Sequence, residues 1–394
     1  MCCMYNKNYI FENLKIYPIT LKSLENWQNE GRKIGIYGAG KFGKQWYEIL
    51  YHFHFNVYCF IDNNPELWNA EIIDKIKCYN PIDFSDSDDI IFFACVNCEL
   101  LLSLIGRAKA QKIQIAAMND LVDDLITFHP DKYFELLKIH ADQEYTELFY
   151  VHDLARTEYA EATVKGATEK IAVYTGIFGN YDTYKIPQVF PDNIDYYLIS
   201  DNKPDLPARI HWLDAKGVIP NDISSPIIKN RYVKMHGYEI FKDYGYSVYL
   251  DGCVRVERDL SDYLPKGNLG ISVFRHPLHD SVYYEALNQT NNNRVDTLNT
   301  IKQMERYINE GLPVHTGMAE MGVIGRDHRN IAGNDLMCQW WTEFCHGAMR
   351  DQFSFAYVLW KNSYSFSDLS MIGLNRYKAL EIKTLLHPEN SRCV

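Results

Sequence analysis

Asp251 stands directly after the apolar run Tyr246-Ser247-Val248-Tyr249-Leu250 and directly before Gly252. A carboxylate at the end of a strand can point into a cleft, where it meets a ribose hydroxyl or a metal ion, although Asp before Gly is also a common turn pair. A cationic group lies on the helix-like stretch after Pro226. At helical spacing Asn230, Arg231 and Lys234 fall within about 100° of one another, with Ile228, Tyr232 and Met235 on the opposite side. Arginine chelates phosphate oxygens in pairs and lysine supplies a point charge, so this face can hold a diphosphate. An ordinary solvated helix face has the same pattern. Gly176 to Asp182 follow another apolar run, at the edge where α/β sheets place ligands. Gly176 and Gly179 there permit close backbone approach, and Tyr181 and Tyr184 are placed to stack on a base. In Phe274-Arg275-His276-Pro277, His276 beside an arginine is suited to an acceptor or a phosphate.

A separate signal lies near the N-terminus. Gly38-Ala39-Gly40-Lys41-Phe42-Gly43 fits GxGxxG between a strand-like run and a helix-like run, and Asp62 ends the next apolar run. Missing β-carbons let a pyrophosphate reach the backbone, the helix start supplies N–H donors, and the acid can accept from a ribose hydroxyl. The alternative is tight strand-to-helix packing, with Asp62 in a turn before Asn63-Asn64-Pro65.

These groups need sheets to position them. From Lys33 the runs KIGIYG, NVYCFID and DIIFFA alternate with helix-like segments, which predicts a parallel sheet over residues 1–125. Residues 126–169 read as a helical connector. Strand patterning restarts at Ile171 and recurs in DYYLISDN, YSVYLDG, LGISVFRH and MGVIGRD, predicting a second α/β domain over 170–394. Asn291-Asn292-Asn293 marks an exposed loop.

The 394 residues carry 40 basic and 51 acidic side chains, a net charge of −11 that offers no general attraction to nucleic acid. Ten cysteines are scattered, several in apolar runs, as befits reduced thiols in a cytoplasmic protein. Cys95-Val96-Asn97-Cys98 has the CxxC form but no second pair for zinc, and core packing is the expectation. The N-terminus lacks the basic start and long apolar stretch of a leader, and no run approaches a membrane span. Membrane contact, at the inner face, is expected to be peripheral.

The ordered segments IFGNYD, YLISDN, KNRYVKMHGYEIF, YLDGCVRV, FRHP and RDQFSFAYVLWK resemble the DUF616 glycosyltransferase-like proteins, and more distantly GT-A glycosyltransferases of family 8. The resemblance covers about half the chain. The glycine-rich segment with FIDNNPE is similar to small Rossmann-like domains of bacterial polysaccharide biosynthesis. It implies a Rossmann-like domain before a GT-A-like one, and sugar transfer from a nucleoside diphosphate sugar, a UDP-sugar, to a glycan or lipid-linked glycan of capsule or lipopolysaccharide. In that reading Thr175, Gly176, Tyr181, Asp201, Asn230, Arg231, Lys234, Asp251 and Arg255 hold the donor. His276, Glu320 and Arg350 face the acceptor, and Asp251, Glu320 and Asp351 serve catalysis. Glu320 lies in a segment similar to the turn that lines the sugar site, and Asp351 is otherwise a helix N-cap. GT-A enzymes carry a DxD motif for Mn²⁺ or Mg²⁺, whereas Asp251-Gly252-Cys253 lacks the second carboxylate. One aspartate is a poor protein-side site for a hard cation, which puts metal use in doubt. Two rivals stay open: an NAD(P)-dependent nucleotide-sugar oxidoreductase or epimerase working in the first domain, and a non-catalytic nucleotide-sugar-binding scaffold.

Overall fold

The computed structural model describes residues 17–95, 98–141, 169–291 and 294–385. Two compact units emerge, one of residues 1–156 with 283–314, the other of residues 157–282 with 315–394.

The first unit is built on a seven-stranded sheet of β1 (Tyr17–Ile19), β2 (Lys33–Tyr37), β3 (Val57–Ile61), β4 (Glu71–Ile73), β5 (Ile76–Tyr79), β6 (Ile90–Ala94) and β7 (Ile115–Asn119). Their order is β1-β7-β6-β2-β3-β5-β4. All pairings are parallel except β4 with β5. Ile34, Ile36 and Tyr37 on β2 and Ile90 to Phe93 on β6 are buried on both faces, which is why these runs are continuously apolar rather than alternating. The segment expected to be a connector supplies the helices Leu121–Phe128 and Pro130–Ala141 to this unit, and its remainder from 142 to 168 lies outside the described residues. Residues 283–314, which the sequence places within the C-terminal span, join it too. The Tyr133 hydroxyl donates to the Tyr283 carbonyl at 2.9 Å and the Tyr284 hydroxyl to Asp123 at 2.7 Å.

The second unit carries β8 (Ile171–Ile177), β9 (Ile194–Ser200), β10 (Ile210–Asp214), β11 (Tyr246–Leu250), β12 (Val254–Val256), β13 (Ile271–Arg275), β14 (Ala319–Asp327), β15 (Ser370–Gly373) and β16 (Ile382–Thr384). The main sheet runs β10-β9-β8-β11-β14-β13-β15, while β12 and β16 form a separate ribbon. Strands β8 to β11 are parallel, and β14 runs against both of its neighbours, β11 and β13. This sheet is mixed and parallel-rich, and the chain is α/β as expected. The reversal of β14 decides the site. Its first residues, Ala319 and Glu320, lie opposite Arg275 and Phe274, and Val323 lies opposite Leu250. The start of β14 is thereby brought to the edge where β11 and β13 end. Behind that edge Ile171, Val173, Val248, Leu250 and Val323 form a buried core.

No helix among the described residues is long and apolar enough to cross a membrane. Cys59, Cys78, Cys95 and Cys253 are buried, as expected of packing thiols, but Cys338 and Cys345 are exposed because they face outward on the helix Ile331–His346. Val96, Asn97 and most of the Asn291-Asn292-Asn293 loop lie outside the described residues.

Candidate active site

All five residues of β11 are buried, and the ladder continues one step further through Asp251 N–H, which donates to the Gly322 carbonyl at 2.8 Å. That bond fixes the backbone from which the Asp251 carboxylate projects. The helix Pro226–Met235 begins with Ser225 at its cap and proline in its first turn, where the ring's fixed φ suits helix entry. Asn230 ties it to the sheet by donating from Nδ2 to the Gly176 carbonyl at 2.8 Å. The cationic face is no solvated face: Lys234 is only 2% exposed. Its Nζ lies 2.5 Å from Asp351 Oδ2 and 3.7 Å from Asp251 Oδ1, and Arg231 Nε lies 3.3 Å from the same Asp351 oxygen.

Asp351 is the first residue of the helix Asp351–Lys361, whose cap position belongs to Arg350, so Asp351 is not the N-cap. It is 3% exposed, and the Trp340 indole N–H donates to its carbonyl at 2.8 Å. Arg376, in the short turn Arg376–Lys378, completes the cluster. Its NH1 stands 3.6 Å from Asp251 Oδ2 and its Nε 3.2 Å from Glu320 Oε1. Glu320 also accepts from Gly322 N–H at 3.0 Å, and the Tyr249 hydroxyl donates to Asp251 Oδ1 at 3.0 Å. A β-carbon at Gly322 would come within 1.8 Å of Arg376 Nη1 and 2.7 Å of Asp251 Oδ2, so glycine here leaves the arginine its present place.

The electrostatics separate the three carboxylates. Burial opposes ionisation of Asp351, but Arg231, Lys234 and Arg350 outweigh it and hold the carboxyl well below its usual range. At Asp251 burial is likewise overcome, by Lys234, Arg376 and Arg231. At Glu320 burial prevails over the attraction of Arg376, and its carboxyl is pushed above the ordinary glutamate value. One acid is thereby left able to exchange a proton nearer neutral pH.

The structure brings together Asn230, Arg231, Lys234, Asp251, Glu320 and Asp351, with Thr175 buried on β8 and the Gly176 carbonyl held by Asn230. Arg350 and Tyr181 lie near enough to act electrostatically on Asp351 and Arg231, and the other expected residues have partners of their own. Arg255 lies in the β12–β16 ribbon and pairs with Glu257 at 2.7 Å; the arginine that meets Asp251 is Arg376. Asp201 pairs with Lys229 at 2.6 Å. Tyr181 is 47% exposed, and Tyr184 packs against the core rather than standing free to stack. His276 is buried beside His279, ring centroids 4.2 Å apart, and the Arg350 guanidinium binds Gln352. Arg376, Tyr249 and Gly322 were missed. Arg376 sits in a short loop without periodicity, and no local signal distinguishes it.

The residues around Asp251 do not fit a divalent cation. Asp251 Oδ1 accepts from Tyr249 and faces Lys234, Oδ2 faces Arg376, and Cys253, where the second DxD acid would stand, is a buried thiol. Sulfur is a soft ligand, ill matched to a hard cation that prefers oxygen.

In the N-terminal unit, Gly38 has a positive φ of 113° and Gly43 packs so closely that a β-carbon would fall 1.8 Å from the Gly38 carbonyl oxygen. Gly40 caps the helix Lys41–His52, which contains Lys41 and Phe42. Asp62 accepts from Ala39 N–H at 2.8 Å and Asn64 N–H at 2.9 Å, so its carboxylate holds the loop itself.

No curated protein sequence matches the chain. Among solved structures, the chain is similar to the WbbM bifunctional glycosyltransferase, with 13% identity and a TM-score of 0.34, over 70% of this chain and 51% of that one. It thus spans about half the length of that protein. It is also similar to the galactosyltransferase LgtC solved with donor and acceptor sugar analogs, with 11% identity and a TM-score of 0.32, over 55% of this chain and 87% of that one. Residues 228–387 match the family model of the TOD1/MUCI70 glycosyltransferase-like domain, a stretch that contains every charged member of the Lys234–Asp351–Asp251–Arg376–Glu320 cluster.

Proposed function

We propose that the protein transfers a sugar from a nucleoside diphosphate sugar, a UDP-sugar, to a hydroxyl of a glycan acceptor in capsule or lipopolysaccharide assembly at the inner membrane face. The observation that carries this reading is the meeting of Lys234, Arg231 and Arg376 with Asp251, Asp351 and Glu320 at one sheet edge, inside the span that matches a glycosyltransferase-like domain.

In the reaction the bond from the anomeric carbon to the diphosphate oxygen breaks, and its electron pair leaves with the diphosphate. Lys234 and Arg231 meet that growing charge, having been held in place beforehand by Asp351, so little reorganisation is needed as the bond breaks. The acceptor oxygen forms the new bond to the same carbon, and its proton passes to Glu320, whose raised pKa suits a general base. Asp251 orients the donor ribose. Arg350 and His276 belong to the acceptor side, and Thr175, Gly176, Tyr181 and Asp201 to the donor side.

A thermal-shift panel of UDP-, GDP-, CMP- and dTDP-sugars with NAD(P)H tests the reading. A ligand present at a hundred times its Kd stabilises the native state by about 2.7 kcal/mol. The expected outcome is a shift with one nucleotide sugar that disappears in Asp251→Ala. A shift with NAD(P)H alone, unchanged in Asp251→Ala, overturns it in favour of an oxidoreductase.

A further inference from the structure

We infer that this site binds its diphosphate without a divalent cation, with Lys234, Arg231 and Arg376 supplying the positive charge; the inference rests on the glycosyl-transfer reading of the same residues.

Three observations converge. First, Asp251 already faces two cations: Oδ1 accepts from Tyr249 and lies 3.7 Å from Lys234 Nζ, and Oδ2 lies 3.6 Å from the Arg376 guanidinium. Second, the neighbouring groups are wrong for a hard cation. Cys253 offers only soft sulfur, Asp182 beside Gly252 pairs with Lys185 at 2.8 Å, Asp351 pairs with Lys234 and Arg231, and Glu320 pairs with Arg376. Third, β14 carries glycine at position 322, where a β-carbon would fall 1.8 Å from the Arg376 guanidinium.

A dication at Asp251 would compete with Lys234 and Arg376, the cations that already face this carboxylate. A diphosphate entering the same space would meet two guanidiniums and an ammonium, the groups that bind phosphate oxygens by charge-assisted hydrogen bonds. Asp351 and Asp251 hold those cations in position while no anion is bound.

Isothermal titration of the full chain with UDP, GDP and dTDP, in excess EDTA and again with Mn²⁺, distinguishes the cases. The inference expects one nucleoside diphosphate to bind in EDTA with a Kd that Mn²⁺ leaves unchanged. Arg376→Ala is expected to weaken that binding by about ten- to a hundredfold, the worth of a hydrogen bond to a charged group, while Arg376→Lys restores part of it. Because the wild-type comparison stands alone, a variant that fails to fold does not rescue the idea. Binding that requires Mn²⁺, or that Mn²⁺ tightens tenfold or more, overturns the inference and leaves the proposed activity standing. No binding of any of the three under either condition overturns the proposed activity as well.

Discussion

Replacing Asp351 by asparagine keeps the shape of the side chain and removes its charge. In the native protein this carboxylate is almost wholly buried and holds Lys234 at 2.5 Å and Arg231 at 3.3 Å. Asparagine would leave the Lys234 ammonium, itself 2% exposed, with Asp251 at 3.7 Å as its remaining ion-pair partner. Removing one partner of a buried ion pair costs about 3–5 kcal/mol, because the remaining charge is desolvated without compensation. Urea unfolding of Asp351→Asn at pH 7 is therefore expected to show a loss of about that size, with an unchanged m-value. Neutralising Lys234 as well removes one of the two stranded charges, so Lys234→Met combined with Asp351→Asn is expected to recover part of the loss, with Arg231 still lacking its carboxylate. The pH dependence follows from the lowered pKa of Asp351. A carboxyl whose folded pKa lies below its unfolded value stabilises fully above about pH 4, and this contribution fades as pH falls toward the folded pKa. The difference between wild type and Asp351→Asn is thus expected to shrink progressively below about pH 4. A loss under about 1 kcal/mol at pH 7, the range of exposed ion pairs, refutes the claim that Asp351, Lys234 and Arg231 form a desolvated cluster.

Gly322→Ala is expected to displace Arg376, costing about 1–3 kcal/mol of stability as overpacking does, and to weaken nucleoside diphosphate binding; calorimetry checks both, and wild-type affinity in the variant counts against Arg376 as a ligand. Arg255→Ala removes a partly exposed pair with Glu257 and is expected to change stability by about 1 kcal/mol or less, with donor affinity unchanged; a large loss of affinity would return Arg255 to the site. For Glu320→Gln, the acidic limb of the kcat/KM profile is expected to vanish, because in wild type that limb follows a carboxyl raised above the usual glutamate value. Activity in wild type is then low while Glu320 is protonated and rises with pH through its pKa. A limb that survives the substitution assigns the base elsewhere.

Much of this site was legible in the chain itself. The run YSVYL followed by Asp-Gly specifies a buried strand with a carboxylate at its end, because the strand's period and the turn residue are local properties. Helical spacing places Asn230, Arg231 and Lys234 together for the same reason. Spacing does not say whether such a face meets water or a neighbour, and here the neighbour is Asp351, far along the sequence, which turns a surface pattern into a buried cluster. The choice between Arg255 and Arg376 was equally beyond local pattern. Arg255 is near Asp251 in sequence but lies in a ribbon strand, where it pairs with Glu257. Arg376 reaches Asp251 only because β14 is laid antiparallel between β11 and β13 with glycine at position 322. The sequence alone determined which residues sit at strand ends and on one helix face. The tertiary structure decided which of those charges are desolvated and paired, since that depends on non-local strand order and on space that no single segment encodes.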